Sequence, residues 1–230
     1  MNVKILTLIA LILILISGCN GTYQAYYQTL KIAFAEQNDV KLTLIEVQQS
    51  DIDVMSVKRG KRPAAIMALA YLENNQHKWV SIDNTMLIME KGRIIRTVGL
   101  NKNLLHSSNS ALDPLKSLLH LPSPKFEPQP QTWSRSVDLT GDEYGHAIES
   151  IFSLASPDTI QTLGLNIEAI LYVETLDYKA PADYLRFNNS WQNFFWFTKS
   201  GELIKSIQKV SPLSEFLEIT YLSRIARLSQ

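Results

Sequence analysis

Residues 85–98 read T-M-L-I-M-E-K-G-R-I-I-R-T-V. Two apolar runs of strand length flank Lys91-Gly92, and a glycine at that place supplies the positive φ that a tight β-hairpin needs. The device recurs further on. Residues 191–198, W-Q-N-F-F-W-F-T, are followed by Lys199-Ser200-Gly201-Glu202 and then by L-I-K-S-I-Q-K-V at 203–210. Strand alternation puts Phe195 and Phe197 on one face and Phe194 and Trp196 on the other, which reads as core packing on both faces. By the same rule Leu203, Lys205, Ile207 and Lys209 share one face, and Ile204, Ser206, Gln208 and Val210 the other.

Working outward from these hairpins, more segments carry strand signals. Val40, Leu42 and Leu44 alternate with polar residues, as a half-buried strand does. Residues 48–62 are polar and contain Lys58-Arg59-Gly60-Lys61-Arg62, which reads as a solvated loop or as a site for an anionic ligand. Residues 64–73, 79–82, 132–140, 145–155 and 167–178 have strand length and composition. The proline-rich stretch 106–131 predicts a surface excursion, with a short helical turn over 115–121. Pro212 ends the last hairpin, and 216–225 closes the chain as strand or helix. Many strands at roughly ten-residue spacing, with no alternation of strands and long helices, predict a mainly β single domain. It is an antiparallel barrel or a sandwich-like sheet, led by an N-terminal α-helix over 21–37, where Tyr23, Tyr26, Tyr27, Leu30, Ala33 and Phe34 share one face.

The amino terminus carries a different signal. Lys4 precedes twelve almost wholly apolar residues, Ile5 to Ile16, which span about 18 Å as a helix. That is short of a bilayer core and fits the apolar region of a signal peptide. Ile16-Ser17-Gly18-Cys19 then resembles a bacterial lipobox. The expected organisation is a lipoprotein signal peptide at 1–18, a lipidated amino terminus and helix at 19–39, and a β-rich periplasmic domain at 40–230. Asn20, where an aspartate would favour inner-membrane retention, points to the outer membrane.

Composition narrows the chemistry. The 230 residues carry 22 Lys+Arg against 22 Asp+Glu, and Cys19 is the single cysteine. Zero net charge argues against a nucleic-acid partner, and one cysteine makes no internal disulfide. His77, His106, His120 and His146 form no ligand-spaced pair, so no metal and no cofactor are expected. There is no phosphate-cradling glycine motif and no nucleophile elbow. Asp142-Glu143 beside His146 has the composition of an acid/base cluster and equally that of a polar strand entry. Asp83, Glu90, Glu149, Glu168 and Glu174 are the carboxylates from which a glycosidase pair would be drawn. No catalytic residue is assigned.

The strand sequences also resemble a known family. Lys78-Trp79-Val80, Asp83 and L-I-M-E-K-G-R-I-I-R-T-V-G-L at 87–100 are similar to the central block of the group 4 capsule polysaccharide lipoproteins, the YjbF-like proteins of Gram-negative bacteria. Trp133-Ser134-Arg135 and N-F-F-W-F-T-K-S-G-E-L-I-K-S-I-Q at 193–208, continuing to Pro212, supply two further matches. The stretch 51–62 is more basic than the family pattern. The resemblance implies a barrel-like periplasmic domain lipid-anchored at Cys19 to the outer membrane. Its partners would be polysaccharide-export proteins of the same system and the polysaccharide itself. It implies no enzymatic activity.

The expected function is therefore a non-catalytic accessory of capsule or exopolysaccharide secretion or assembly. The alternatives are a periplasmic glycan-modifying enzyme using a carboxylate pair, or a structural envelope lipoprotein. Trp191, Trp196, Lys58, Arg59, Lys61 and Arg62 are the candidate glycan or partner contacts.

Overall fold

A computed structural model describes residues 38–118, 130–141, 143–179 and 189–229. Cys19, the lipobox and the helix expected over 21–37 lie outside the described residues. Twelve antiparallel strands follow one another around a single sheet in the order β5-β4-β3-β2-β1-β12-β11-β10-β9-β8-β7-β6. They are β1 (Val54–Arg59), β2 (Ala65–Glu73), β3 (Gln76–Ser81), β4 (Met86–Glu90), β5 (Arg93–Val98), β6 (Leu104–Ser107), β7 (Gln131–Leu139), β8 (Glu143–Thr162), β9 (Leu165–Tyr178), β10 (Ser190–Phe197), β11 (Leu203–Gln208) and β12 (Leu217–Thr220). The edge strands β5 and β6 meet through side chains. Thr97 Oγ1 accepts from the Leu104 amide at 2.9 Å, and Asn103 Oδ1 accepts from the Leu100 amide at 3.0 Å. The sheet is thus a nearly closed barrel, as the many short strands predicted, and Asp39–Gln230 form one compact unit.

The interior is filled by alternate side chains from every wall. Met55, Trp79, Leu87, Met89, Leu139, Ile148, Leu176, Phe195, Phe197, Leu203 and Ile219 belong to one buried cluster. Phe194 and Trp196 face outward, as alternation requires, and pack with Ile160, Ile204 and Ile225 in a second cluster. That outer face is covered by the long β8–β9 arm and by α3 (Leu222–Arg227). A third cluster joins α1 (Leu44–Gln48) to α3 through Val47, Leu222 and Ala226.

Three local expectations are corrected and a fourth is refined. The strand read at 40–44 is extended coil followed by α1, because Thr43 and Glu46 form a capping box: the Glu46 amide donates to Thr43 Oγ1 at 3.3 Å, and the Thr43 amide to Glu46 Oε2 at 2.7 Å. Two satisfied helix-start donors outweigh a three-residue alternation. Second, the polar loop at 48–62 contains β1, held by β2 on one side and by the distant β12 on the other. Third, in β11 the register shifts opposite Trp196/Phe197, so Leu203 faces the interior while Lys205 and Ile207 face outward. Such a bulge is invisible to strict alternation. Finally, the closing segment is both strand and helix, β12 and then α3.

The β4–β5 turn has positive φ at both central residues, 50° at Lys91 and 89° at Gly92. A Cβ on Gly92 would lie 2.2 Å from Leu203 Cδ2 in the packed interior, whereas a Cβ on Gly141, also at positive φ, meets nothing within 4 Å. Gly92→Ala is expected to lower unfolding free energy by about 2–4 kcal/mol, strain plus overpacking. Gly141→Ala should lose only about 1–2 kcal/mol. Urea unfolding of the two variants checks the order.

Candidate functional site

Among the described residues the buried charges are gathered at one place, where four side chains from separate elements converge. Arg93 opens β5 immediately after the hairpin turn. Its guanidinium donates to both oxygens of Asp113, at 2.9 and 3.1 Å, and to Glu174 Oε2 at 2.6 Å. Asp113 stands just before α2 (Leu115–Leu118), and its carboxylate also accepts from the Leu115 amide at 3.0 Å. Glu174, fully buried on β9, accepts from Arg135 Nη1 of β7 at 3.3 Å and from Asn193 Nδ2 of β10 at 3.0 Å. The two guanidinium groups share an aromatic wall: Trp133 lies 4.9 Å from Arg93 Cζ and 4.2 Å from Arg135 Cζ. Phe152 and Phe195 border Arg93 at 5.5 and 5.2 Å. Two cations and two anions make the set neutral, which is what lets it exist out of water.

Electrostatics follow the pairing. Burial alone would push the Glu174 carboxyl up, but the two guanidinium groups and the hydrogen bonds from Arg93 and Asn193 hold it below the ordinary glutamate value. Burial likewise opposes the charge on Arg93, and the Asp113 and Glu174 carboxylates more than offset it. Arg135 has only the longer contact to Glu174 and sits near Arg93, so burial pulls it down to about 10. It is still a cation at neutral pH.

The space beside this network, bordered by Arg93, Arg135, Asn193 and Gln208, is about 10 Å³, roughly one water molecule. Gln208 reaches across from β11, accepting from the Ile94 amide at 3.2 Å and donating to the Gly92 carbonyl at 2.7 Å. It thereby ties β11 to the backbone of the β4–β5 turn and the start of β5. The space beside the network has no room for a sugar. Its polar groups are turned on one another.

The carboxylates singled out in sequence do not converge on a cleft. Glu174 is buried in the network, Glu90 pairs with Lys116 at 2.6 Å, Glu149 with Lys179 at 3.4 Å and Glu168 with Lys199 at 2.5 Å. Asp83 stabilises its own turn through Ser81 and Thr85. The open groove at 111–116 and 131–132 is lined by none of these five; its carboxylate, Asp113, is committed to Arg93. His146 rests against Tyr178 at 5.3 Å, while Asp142 and the Glu143 side chain lie outside the described residues. Among the described residues no group of His, Cys, Asp and Glu could hold a metal ion.

The candidate contacts fall into two sets. Trp191 is buried in the interior, its indole donating to the Lys209 carbonyl at 2.9 Å. Trp196 is buried on the outer face, donating to Asp158 at 2.7 Å beneath the Lys205 ammonium. Neither presents an open ring face to a sugar. The basic residues are reachable: Lys61 and Arg62 are exposed, Lys58 pairs with Asp39 at 3.7 Å, and Arg59 with Glu215 at 3.2 Å.

A family model described as "Group 4 capsule polysaccharide lipoprotein gfcB, YjbF" matches residues 27–222. The chain belongs to this family. It is 28% identical over 225 residues to the uncharacterized lipoprotein GfcB of Escherichia coli (strain K12), covering 96% of this chain and 98% of that one. It is 26% identical over 202 residues to the uncharacterized lipoprotein YjbF of the same organism, with 86% and 88% covered. The crystal structure of the hypothetical lipoprotein YmcC from Escherichia coli (K12) superposes with a TM-score of 0.68 at 28% identity, over 79% of this chain and 89% of that chain. The three sequence blocks that carry the resemblance contribute Arg93, Trp133, Arg135, Asn193 and Gln208 to the interior network. Asp113 was missed in the sequence, and Glu174 stood only among candidate acids. Both would have been suggested by two arginines at inward strand positions, which demand buried anions.

Removing the central anion should expose the dependence. Glu174→Gln is expected to cost about 3–5 kcal/mol in urea unfolding, because two guanidinium groups then share one carboxylate. Adding Arg135→Met should recover a good part of that loss. The folded carboxyl titrates below its unfolded value, so its stabilisation is complete above the ordinary glutamate range and disappears as pH falls below it. The Glu174→Gln variant should accordingly lose less stability than the parent as pH falls from the ordinary glutamate range to below it.

Proposed function

We propose that this chain is an outer-membrane lipoprotein, anchored through Cys19, that acts as a non-catalytic accessory in the secretion or assembly of a capsular or exported polysaccharide. The family match over 27–222 carries the reading, since it makes the chain a capsule polysaccharide lipoprotein. In this reading residues 1–18 are a cleaved signal peptide, 19–39 a lipidated tether, and 40–230 the periplasmic domain. A packed barrel interior with a neutral, self-paired polar centre supports a role exercised at the surface, toward export proteins of the same system or toward the polymer. Among the described residues no helix is long and apolar enough to cross a membrane. In this reading attachment rests on the acyl chains of Cys19, and several chains hold far more firmly than one.

Deleting the gene should reduce surface polysaccharide or alter its chain length, as measured by extraction and gel profile. Unchanged amount and length would refute the role. Cys19→Ser should leave an unprocessed precursor that takes up no labelled palmitate; labelling that persists would refute the anchor.

A further inference from the structure

Antiparallel connection sends alternate turns to opposite ends of the barrel. Three turns that are neighbours around one end are 59–65 between β1 and β2, 81–85 between β3 and β4, and 209–216 between β11 and β12. The first and third touch: the Gly60 amide donates to the Phe216 carbonyl at 2.9 Å, and Arg59 and Arg62 face Glu215 at 3.2 and 4.0 Å. This rim has two properties that its own stability does not require.

The first is apolar exposure at the turn tips. Ile82 is 101% exposed, Leu213 59% and Phe216 39%. The 81–85 turn is held by the Asn84 amide donating to the Ser81 carbonyl at 3.0 Å and by Asp83 accepting from Ser81 and Thr85. None of these bonds needs an isoleucine at 82. Apolar tips on successive turns of one rim, set among charges, offer an interaction surface. The second property is charge. Lys58, Arg59, Lys61, Arg62 and Lys209 stand against Asp39, Asp83 and Glu215, so the rim is positive in a chain whose net charge is zero. Lys209 Nζ lies 5.3 Å from the Phe216 ring, and Lys61 has no carboxylate within ion-pair distance among the described residues.

The chain enters the domain at this same rim. Asp39 Oδ1 accepts from the Ala64 amide at 2.8 Å and pairs with Lys58, and the Val40 amide donates to the Ala64 carbonyl at 3.0 Å. Of the two barrel ends, this is the one where the segment leading back to Cys19 begins. Cations meet anionic headgroups, and apolar tips enter the interface beneath them. An acidic polymer would satisfy the cations and leave Ile82 unexplained.

We propose that this rim rests on an anionic phospholipid surface, with Ile82, Leu213 and Phe216 entering the headgroup layer and Lys61, Arg62 and Lys209 meeting phosphates. The proposal rests on the reading that the chain is anchored through Cys19. Docking would hold the barrel upright on its tether and present the opposite end, with the β2–β3 and β4–β5 turns, to partners.

The test uses the full lipidated chain, whose single native cysteine is acylated, carrying Ile82→Cys, Leu213→Cys or, at the opposite end, Leu72→Cys. Each is labelled with a nitrobenzoxadiazole dye and reconstituted in phosphatidylglycerol–phosphatidylcholine vesicles. Dyes at 82 and 213 should shift to the blue and escape acrylamide quenching, while the dye at 72 stays water-like. Pure phosphatidylcholine should abolish the contrast, and Lys61→Gln should lower the ratio of docked to undocked rim about fivefold at low salt. Water-like emission at 82 and 213 in a chain that floats with the vesicles overturns the docking and leaves the anchor standing. A chain that does not float overturns both. A blue shift produced by soluble polygalacturonate but not by vesicles assigns the rim to acidic polymer and overturns the lipid.

Discussion

Inside this barrel a bidentate Arg93–Asp113 pair and a Glu174 that bridges Arg93 to Arg135 are enclosed by Trp133, Phe152 and Phe195. Charges out of water are tolerated only when they are paired and hydrogen-bonded, and each member is therefore conditional on the others. The residues come from β5, the segment before α2, β7, β9 and β10, so the network ties together walls distant in the chain. It also polices register. A one-residue slip in β7 or β9 would turn Arg135 or Glu174 to the other face and leave the remaining charges unpaired in an apolar core. Hydrophobic residues of similar size permit neighbouring registers far more readily than a four-membered salt bridge does.

The same network explains how an incompletely laddered barrel stays shut. β5 and β6 are edges, and edges carry unpaired backbone groups. Arg93 begins β5 and is clamped to Asp113, while Gln208 supplies side-chain partners to Gly92 and Ile94. Thr97 and Asn103 complete the seam at its other end. Closure by side chains leaves the buried charges among the described residues self-neutralised. Much of the outer wall around Trp196 is already covered by the β8–β9 arm and α3.

Legibility in the sequence followed the range of the signal. The hairpins at Lys91-Gly92 and Gly201 depend on adjacent residues, and both stand where the turn chemistry puts them. The split of Phe195 and Phe197 from Phe194 and Trp196 onto opposite faces followed from pleat alone. Val40 to Leu44 misled because a short alternation competes with the Thr43–Glu46 capping box, and the box satisfies two donors. β1 was hidden among charges because what makes it a strand is β12, about 160 residues away along the chain. At the site, Arg93, Trp133, Arg135, Asn193 and Gln208 lay within the resembling blocks, but nothing local shows that they meet. Trp191 and Trp196 were conspicuous by composition, and their burial follows from neighbours that composition does not name.

Sequence by itself determined the β architecture, the turn positions and the membership in a lipoprotein family, because turns, pleat and block similarity are written in contiguous residues. Tertiary structure alone decided which charges are buried and cancelled, which aromatics are core, and which turns share a rim. Those properties depend on pairs such as Arg93 with Glu174, 81 positions apart, or Gly60 with Phe216, whose energies exist only once the barrel has brought them within hydrogen-bond distance.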